Sequence, residues 1–154
     1  MTTITEKNLA RMAQMFPGKR GQALWTTDPE KCRIYPAVPR VLDVRDLIGR
    51  ALVFIKAIWL ASDFEKAFIH PDKGKAYGIL LCRDVETKAE FSVSTGSIRT
   101  CSQLYNHELL GHFAFASVLE NVENPYGTDG IQLGELVPVT PAKRKLTCAL
   151  SRYL

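Results

Sequence analysis

Hydrophobic residues recur along this chain at two different spacings, and the change falls near residue 50. In residues 5–16 the apolar positions follow one another at three- and four-residue steps, which predicts a short amphipathic helix. Thr5 is placed to cap the N-terminus of this helix, and Pro17 ends it. From there to about Pro39 the sequence is rich in Pro, Gly, Lys and Arg, which predicts mainly loop.

The rest of the chain predicts strands, with one helix among them. The five β-rich segments are Ala51–Trp59, Ala76–Arg83, Glu90–Ser94, His112–Leu119 and Lys143–Leu150. The turn-like sequence DVETK between the second and third segments predicts a hairpin. Thr95-Gly96-Ser97 ends the third segment and precedes a helical pattern over residues 98–110, which Gly111 ends. Repeated Pro and Gly predict a long loop over residues 121–142, with a short hairpin within it as an alternative.

This order of three strands, a helix and two further strands is the connectivity of the OB-fold, a small β-barrel. We therefore predict a mainly β protein whose residues 45–154 form a five-stranded OB-type barrel with a helix between strands three and four. Residues 1–44 are expected to form an N-terminal helix and an extended arm. An α+β structure with one helix on an open sheet is the alternative, but an open sheet would expose apolar edges.

Alternation within the strands separates core positions from surface positions. One face of the second strand carries Tyr77, Ile79, Leu81 and Arg83, and the other carries Ala76, Gly78, Leu80 and Cys82. In the third strand Phe91 and Val93 predict the core face, and Phe113 and Phe115 have the spacing of core residues in the fourth. Trp59 in the first strand fits either the core or an exposed face.

Composition and charge limit the cellular compartment and the kind of partner that we expect for this protein. Of the 154 residues, 46% are hydrophobic and 23% are charged, which is typical of a globular protein. The net charge is +4, and its whole surplus lies in residues 1–50, which hold nine of the 20 Lys and Arg residues but five of the 16 Asp and Glu residues. The four cysteines are scattered, which predicts reduced thiols. The sequence shows neither the apolar run of a signal peptide nor an apolar stretch long enough to cross a bilayer, so we expect a cytoplasmic protein.

Short motifs mark the boundaries of the predicted strands and helix. They are Asp46-Leu47-Ile48-Gly49, Lys73-Gly74-Lys75-Ala76-Tyr77, Thr95-Gly96-Ser97 and Gln103-Leu104. Together they resemble the small phage and prokaryotic single-stranded DNA-binding proteins of OB type, over roughly residues 45–119 and 143–152. The resemblance implies a non-catalytic protein that binds single-stranded DNA without sequence preference during phage or plasmid replication or recombination. RNA is an alternative ligand, and assembly into a homo-oligomer is compatible with this function.

Binding of single strands requires cations for the phosphates and flat side chains on which bases stack. OB-folds present such residues on the second and third strands and in nearby loops. The candidates are Trp59, Phe64, Lys66, Phe68, Lys73, Lys75, Tyr77, Arg83 and Lys88, with Lys143, Arg144 and Lys145 as a basic patch in the last strand. Tyr77 and Arg83 are the strongest of these, because they share one strand face at its two ends.

Enzymatic chemistry is not expected. The sequence from His107 to His112 resembles the H-E-x-x-H motif of zinc proteases, but the second histidine comes one residue late and would lie about 140° around a helix from the first. Phosphate-binding, dinucleotide-binding and nucleophile-elbow motifs are absent, and we predict no cofactor and no metal. The alternative function is a non-catalytic protein-interaction module that docks through residues 104–142, which contain no Lys or Arg.

Overall fold

The computed structural model describes residues 3–17, 24–122 and 130–136. The two helices are α1, Glu6–Met15, and α2, Ile98–Leu109, and a single 3₁₀ turn covers Val44–Leu47. The strands are β1, Trp25–Thr26; β2, Arg40–Val41; β3, Ala51–Ala61; β4, Phe68–His70; β5, Gly74–Asp84; β6, Glu90–Thr95; β7, Phe115–Val122; and β8, Gly130–Leu136. In these ranges neither helix has the length and apolar character needed to cross a bilayer.

The eight strands in this part of the chain form one mixed sheet in the order β1-β2-β6-β5-β3-β7-β8, with β4 paired to β5. Neighbouring strands are antiparallel except for β2 and β6. Strand β3 pairs with β5 along most of its length, and its first residues also pair with β7. The predicted mainly β fold is confirmed. The sheet of the described residues is open, however, so closure into a five-stranded barrel stays a prediction.

Several predicted boundaries differ from the structure. Strand β4 lies between the first two predicted strands, where no strand was predicted, and β8 forms with β7 the hairpin that was the alternative for residues 121–142. Strand β7 begins at Phe115 rather than at His112, because the His112 N–H donates to the His107 carbonyl and belongs to the turn that ends α2. The predicted strand Lys143–Leu150 lies outside the described residues.

The core lies on one face of the sheet and is covered by both helices. Its side chains without solvent exposure include Met12, Met15, Phe54, Leu80, Phe91 and Leu104. Thr5 caps α1 as predicted, since its hydroxyl accepts the Asn8 N–H at 3.2 Å. The ring of Phe115 packs on that of Phe54 at 5.4 Å between centroids. The helices therefore close only this face of the sheet and leave the opposite face to other parts of the chain.

Each helix is also bound to a sheet edge by one side-chain amide. Asn8 in α1 donates to the Glu90 carbonyl at 2.7 Å and accepts the Glu90 N–H at 2.8 Å. Gln103 in α2 accepts the Leu133 N–H at 2.7 Å and donates to the Leu133 carbonyl at 3.3 Å. Glu90 precedes the part of β6 that pairs with β2, and β8 is the last strand of the sheet. Each amide thus forms the hydrogen bonds that the backbone of a further strand could otherwise form with these groups.

Substitution of Asn8 by Ala should lower the free energy of unfolding by about 1–3 kcal/mol, because it leaves the half-buried N–H and carbonyl of Glu90 without their partner. Equilibrium denaturation in urea measures this change. Gln14→Ala is the matched control, since Gln14 lies exposed on the same helix. If the two variants unfold at the same urea concentration, the Asn8 amide does not hold α1 to the sheet.

Candidate nucleic-acid interface

Strand β5 presents two different faces, as its alternation predicted. The residues that face the core are Ala76, Gly78, Leu80, Cys82 and Asp84, and all of them are buried. The side chains of the opposite face are Lys75, Tyr77, Ile79, Leu81 and Arg83. Of these, Lys75 and Arg83 are exposed and Tyr77 is half-buried. We call this side of β5, together with the side chains of β3 and β4 that stand beside it, the outer face.

The register of the sheet extends the outer face across β3 and β4. Residues directly opposite each other on antiparallel strands point to the same side. The pairs on the outer face are Leu60 with Tyr77, Ile58 with Ile79, Lys56 with Leu81, Val53 with Arg83, and Ile69 with Lys75, and Val53 is the buried member of its pair. Ile58 and Leu60 are half-buried, and Ile69 is 61% exposed. The result is a partly exposed apolar strip with cations along it.

The cations of the outer face are free to meet a polyanion. Among the described residues only Arg50 and Asp84 form an ion pair, at 3.3 Å. Glu90 stands opposite Arg83 in the register, but their charged groups do not pair. Lys75 and Arg83 lie eight positions apart on β5, about 26 Å at a rise of about 3.3 Å per residue. Lys56 is exposed between them.

The middle of the outer face is covered by the segment between β1 and β2 and by Arg40 at the start of β2. The Tyr35 hydroxyl donates to the Ile79 carbonyl at 3.3 Å, and the Arg40 guanidinium donates to Ser94 Oγ at 3.1 Å. Burial raises the pKa of Tyr35 to about 12, so this hydroxyl stays protonated and remains a donor at neutral pH. Ile79 is accordingly buried although it points away from the core. The open parts of the outer face are therefore its two ends.

One end combines an aromatic loop with the lysines of the β4–β5 hairpin. Phe64 is 74% exposed, and Lys66 beside it is also exposed. The Ser62 N–H donates to the Lys75 carbonyl at 2.9 Å, which places the start of this loop next to Lys75. Of the predicted site residues, Phe64, Lys66, Lys75 and Tyr77 thus come to the same end of the sheet.

The structure buries two of the residues that were predicted to stack on bases. Trp59 is 4% exposed and Phe68 is 7% exposed, with their rings 5.2 Å apart in a cluster that includes His70 and Tyr105. The Trp59 indole N–H also donates to the Glu108 carboxylate at 3.2 Å. A base cannot stack on either ring in this structure.

A β-bulge explains the position of Trp59. The register of β3 on β5 shifts between Phe54 and Lys56, so the inward face passes from even-numbered positions such as Phe54 to odd-numbered ones such as Trp59. Phe68 points inward because it stands opposite the buried Ala76. Neither cause is visible in the local sequence.

The remaining predicted cations lie in different places. Lys73 is exposed, but its Nζ donates to the Trp59 carbonyl at 2.8 Å and is tied to the fold. Lys88 is exposed in the turn between β5 and β6, near the Arg83 end, with a backbone φ of 66°. Lys143, Arg144 and Lys145 lie outside the described residues.

Sequence reasoning left out Lys56, Leu60 and Ile69, which the structure places on the outer face. Lys56 has a signal in the sequence, because it is the one charged residue in the apolar run Ala51–Ala61. A charged side chain there requires one side of the strand to reach solvent. Ile69 has no such signal, since its exposure depends on the pairing of β4 with β5.

Comparison of the chain with protein-family models, with curated proteins and with solved structures gave no match. Its class is therefore defined by the fold and the surface alone. The chain is a mainly β protein with an open mixed sheet and a cationic, partly apolar outer face.

The two phenylalanines of the β3–β5 connection should respond differently to truncation. Phe68→Ala removes a buried ring and should lower the free energy of unfolding by about 3–5 kcal/mol, whereas Phe64→Ala should change it by no more than about 0.5 kcal/mol. Thermal or urea unfolding of the two variants checks this difference. Equal losses of stability would mean that Phe64 is also packed in the core.

Proposed function

We propose that this protein binds single-stranded DNA without sequence preference on the outer face of β5 and β3. The observation that carries the proposal is the arrangement of one strand face, where half-buried Tyr77 lies between exposed, unpaired Lys75 and Arg83. Phosphates would be neutralised by the cations, and bases would stack on Tyr77 and Phe64.

The dimensions of the outer face suit a short stretch of single strand. The span of about 26 Å between Lys75 and Arg83, at a rise of about 3.3 Å per residue, is comparable with the smallest OB-type sites, of about four nucleotides. Each base stacked on an aromatic ring is worth about 1–3 kcal/mol. Because Tyr35 covers the centre of the face, we place the stacking contacts at the Tyr77 end and phosphate contacts at both ends.

The arrangement of the strands supports an OB-type fold for this protein. Strands β3, β5 and β6 form an antiparallel meander, and β3 also pairs with β7. Helix α2 lies between β6 and β7 in the chain, and β3 carries a bulge. We propose that the sheet closes into the predicted five-stranded barrel. With this fold the protein would coat DNA in the cytoplasm during phage or plasmid replication or recombination.

A protein-interaction module is the second candidate function, and one observation favours it. Leu109 and Leu110, at the end of α2, are 65% and 66% exposed. They lie in residues 104–142, which contain no Lys or Arg, so this surface differs in charge from the outer face. The two functions use different residues, and variants of one surface should leave the other intact.

Loss of the aromatic ring of Tyr77 should weaken binding to single-stranded DNA. Tyr77→Leu retains an apolar side chain but removes the ring, and the dissociation constant for a labelled oligo-dT should rise about 5- to 150-fold, the equivalent of one stacked base. Tyr77→Phe retains the ring and should bind almost as the parent does. Fluorescence anisotropy with oligo-dT, the matching RNA and a duplex measures the three affinities.

Loss of a cation of the outer face should instead alter the salt dependence of binding. Lys75→Gln and Arg83→Gln should each reduce the slope of log K against log salt by about 1. Lys7→Gln is the matched control, since Lys7 is exposed on α1 away from this face, and it should leave the slope unchanged.

Two results would overturn the proposal: no binding of oligo-dT at low salt, or binding that Tyr77→Leu and Arg83→Gln leave unaffected. The double variant Leu109→Ser, Leu110→Ser distinguishes the second function. It should bind oligo-dT normally if the outer face is the binding site. If the parent protein self-associates and this variant does not, the self-association depends on the α2 surface.

A further inference from the structure

The structure brings together two histidines whose separation in sequence argued against a joint role. His107 lies in the last turn of α2 and His112 lies beyond its end. Their Nδ1 atoms are 3.0 Å apart, and both rings are half-buried. On a continuous helix a spacing of five residues would place the two side chains about 140° apart. The helix, however, ends before His112.

A glycine turn accounts for this proximity. Gly111 has a φ of +71°, which reverses the chain direction at the helix end. Its N–H donates to the Glu108 carbonyl at 3.1 Å, and the His112 N–H donates to the His107 carbonyl at 2.9 Å. The Phe115 ring stacks on His107 at 4.0 Å between centroids. Backbone bonds and ring packing thus hold the two imidazoles in place.

The spacing of the two nitrogens matches that of neighbouring ligands on one metal ion. Imidazole nitrogens bind Zn²⁺ at about 2.0–2.1 Å. Two such ligands at angles between about 90° and 110° have their nitrogens about 2.9–3.4 Å apart, for the same bond length. The 3.0 Å distance between His107 Nδ1 and His112 Nδ1 lies within this range. The ring centroids, however, are 5.2 Å apart, so the two Nδ1 atoms point almost directly at each other, and both rings must turn before their lone pairs meet at one ion.

We propose that His107 and His112 form a two-histidine site for a transition-metal ion that prefers imidazole, namely Cu²⁺, Ni²⁺ or Zn²⁺. Both Nδ1 atoms bind the ion, and water occupies its other positions. The described residues contain no group of three or more metal-ligating side chains, so the site is an open one. The neighbouring Glu108 carboxylate is bonded to the Trp59 indole rather than directed at the pair.

The protons balance without any other reactant. In the metal-free pair one ring donates its Nδ1 proton to the Nδ1 lone pair of the other. When the ion binds, the donor ring shifts its proton from Nδ1 to Nε2, and both Nδ1 lone pairs then face the ion. No net proton is released by the pair. The site is independent of the proposed binding of DNA.

Titration of the untagged, chelator-treated full-length chain with Ni²⁺ or Zn²⁺ in a calorimeter tests the proposal. We expect one ion per chain, and His112→Gln should weaken binding by more than about tenfold, since even an outer-shell partner is worth about 10–100-fold. His107→Gln should have the same effect. His70→Gln is the control, because His70 is the third and last histidine of the chain and lies in the buried aromatic cluster.

Electron paramagnetic resonance of the Cu²⁺ complex of the unsubstituted chain gives a second measurement, which does not depend on the stability of a variant. Hyperfine splitting from two equivalent nitrogens is expected, and it should be reduced to one nitrogen in His112→Gln. Absence of binding, a spectrum without nitrogen ligands, or binding that neither His107→Gln nor His112→Gln weakens would overturn the proposal.

Discussion

The antiparallel pairing of β3 with β5 organises both faces of the sheet. It runs from Leu52 opposite Asp84 to Ala61 opposite Ala76, and both strands also pair with other strands on their far sides. Because side chains alternate along a strand, this one register decides at once which residues enter the core and which form the outer face. A shift by a single residue would bury Tyr77 and Arg83 and expose Leu80.

The two faces of the sheet are treated differently by the rest of the chain. On the core face, α1 and α2 contribute Met12, Met15 and Leu104, and side-chain amides bind both helices to the sheet edges. On the outer face the Tyr35 hydroxyl bonds to the Ile79 carbonyl, and the Arg40 guanidinium bonds to Ser94 Oγ. Stability therefore depends on one side of β5, and the other side can carry an apolar and cationic surface for a ligand.

The sequence predicted the parts of this structure that depend on local patterns. Alternation separated Tyr77 and Arg83 from the buried side of β5, and helical spacing with Thr5 as a cap predicted α1. The sequence did not predict features that depend on pairing with a strand elsewhere in the chain. The bulge in β3 turned Trp59 inward, and the pairing of β4 with β5 buried Phe68 while leaving Ile69 exposed.

By itself the sequence determined that this is a mainly β protein with a helix after its third long strand, because periodicity is a property of neighbouring residues. Only the tertiary structure decided which aromatic rings are exposed and which cations stand beside them, since those depend on the register between strands. The same holds for His107 and His112. Their spacing argues against contact on a helix, and the reversal of the chain at Gly111 brings the two rings together.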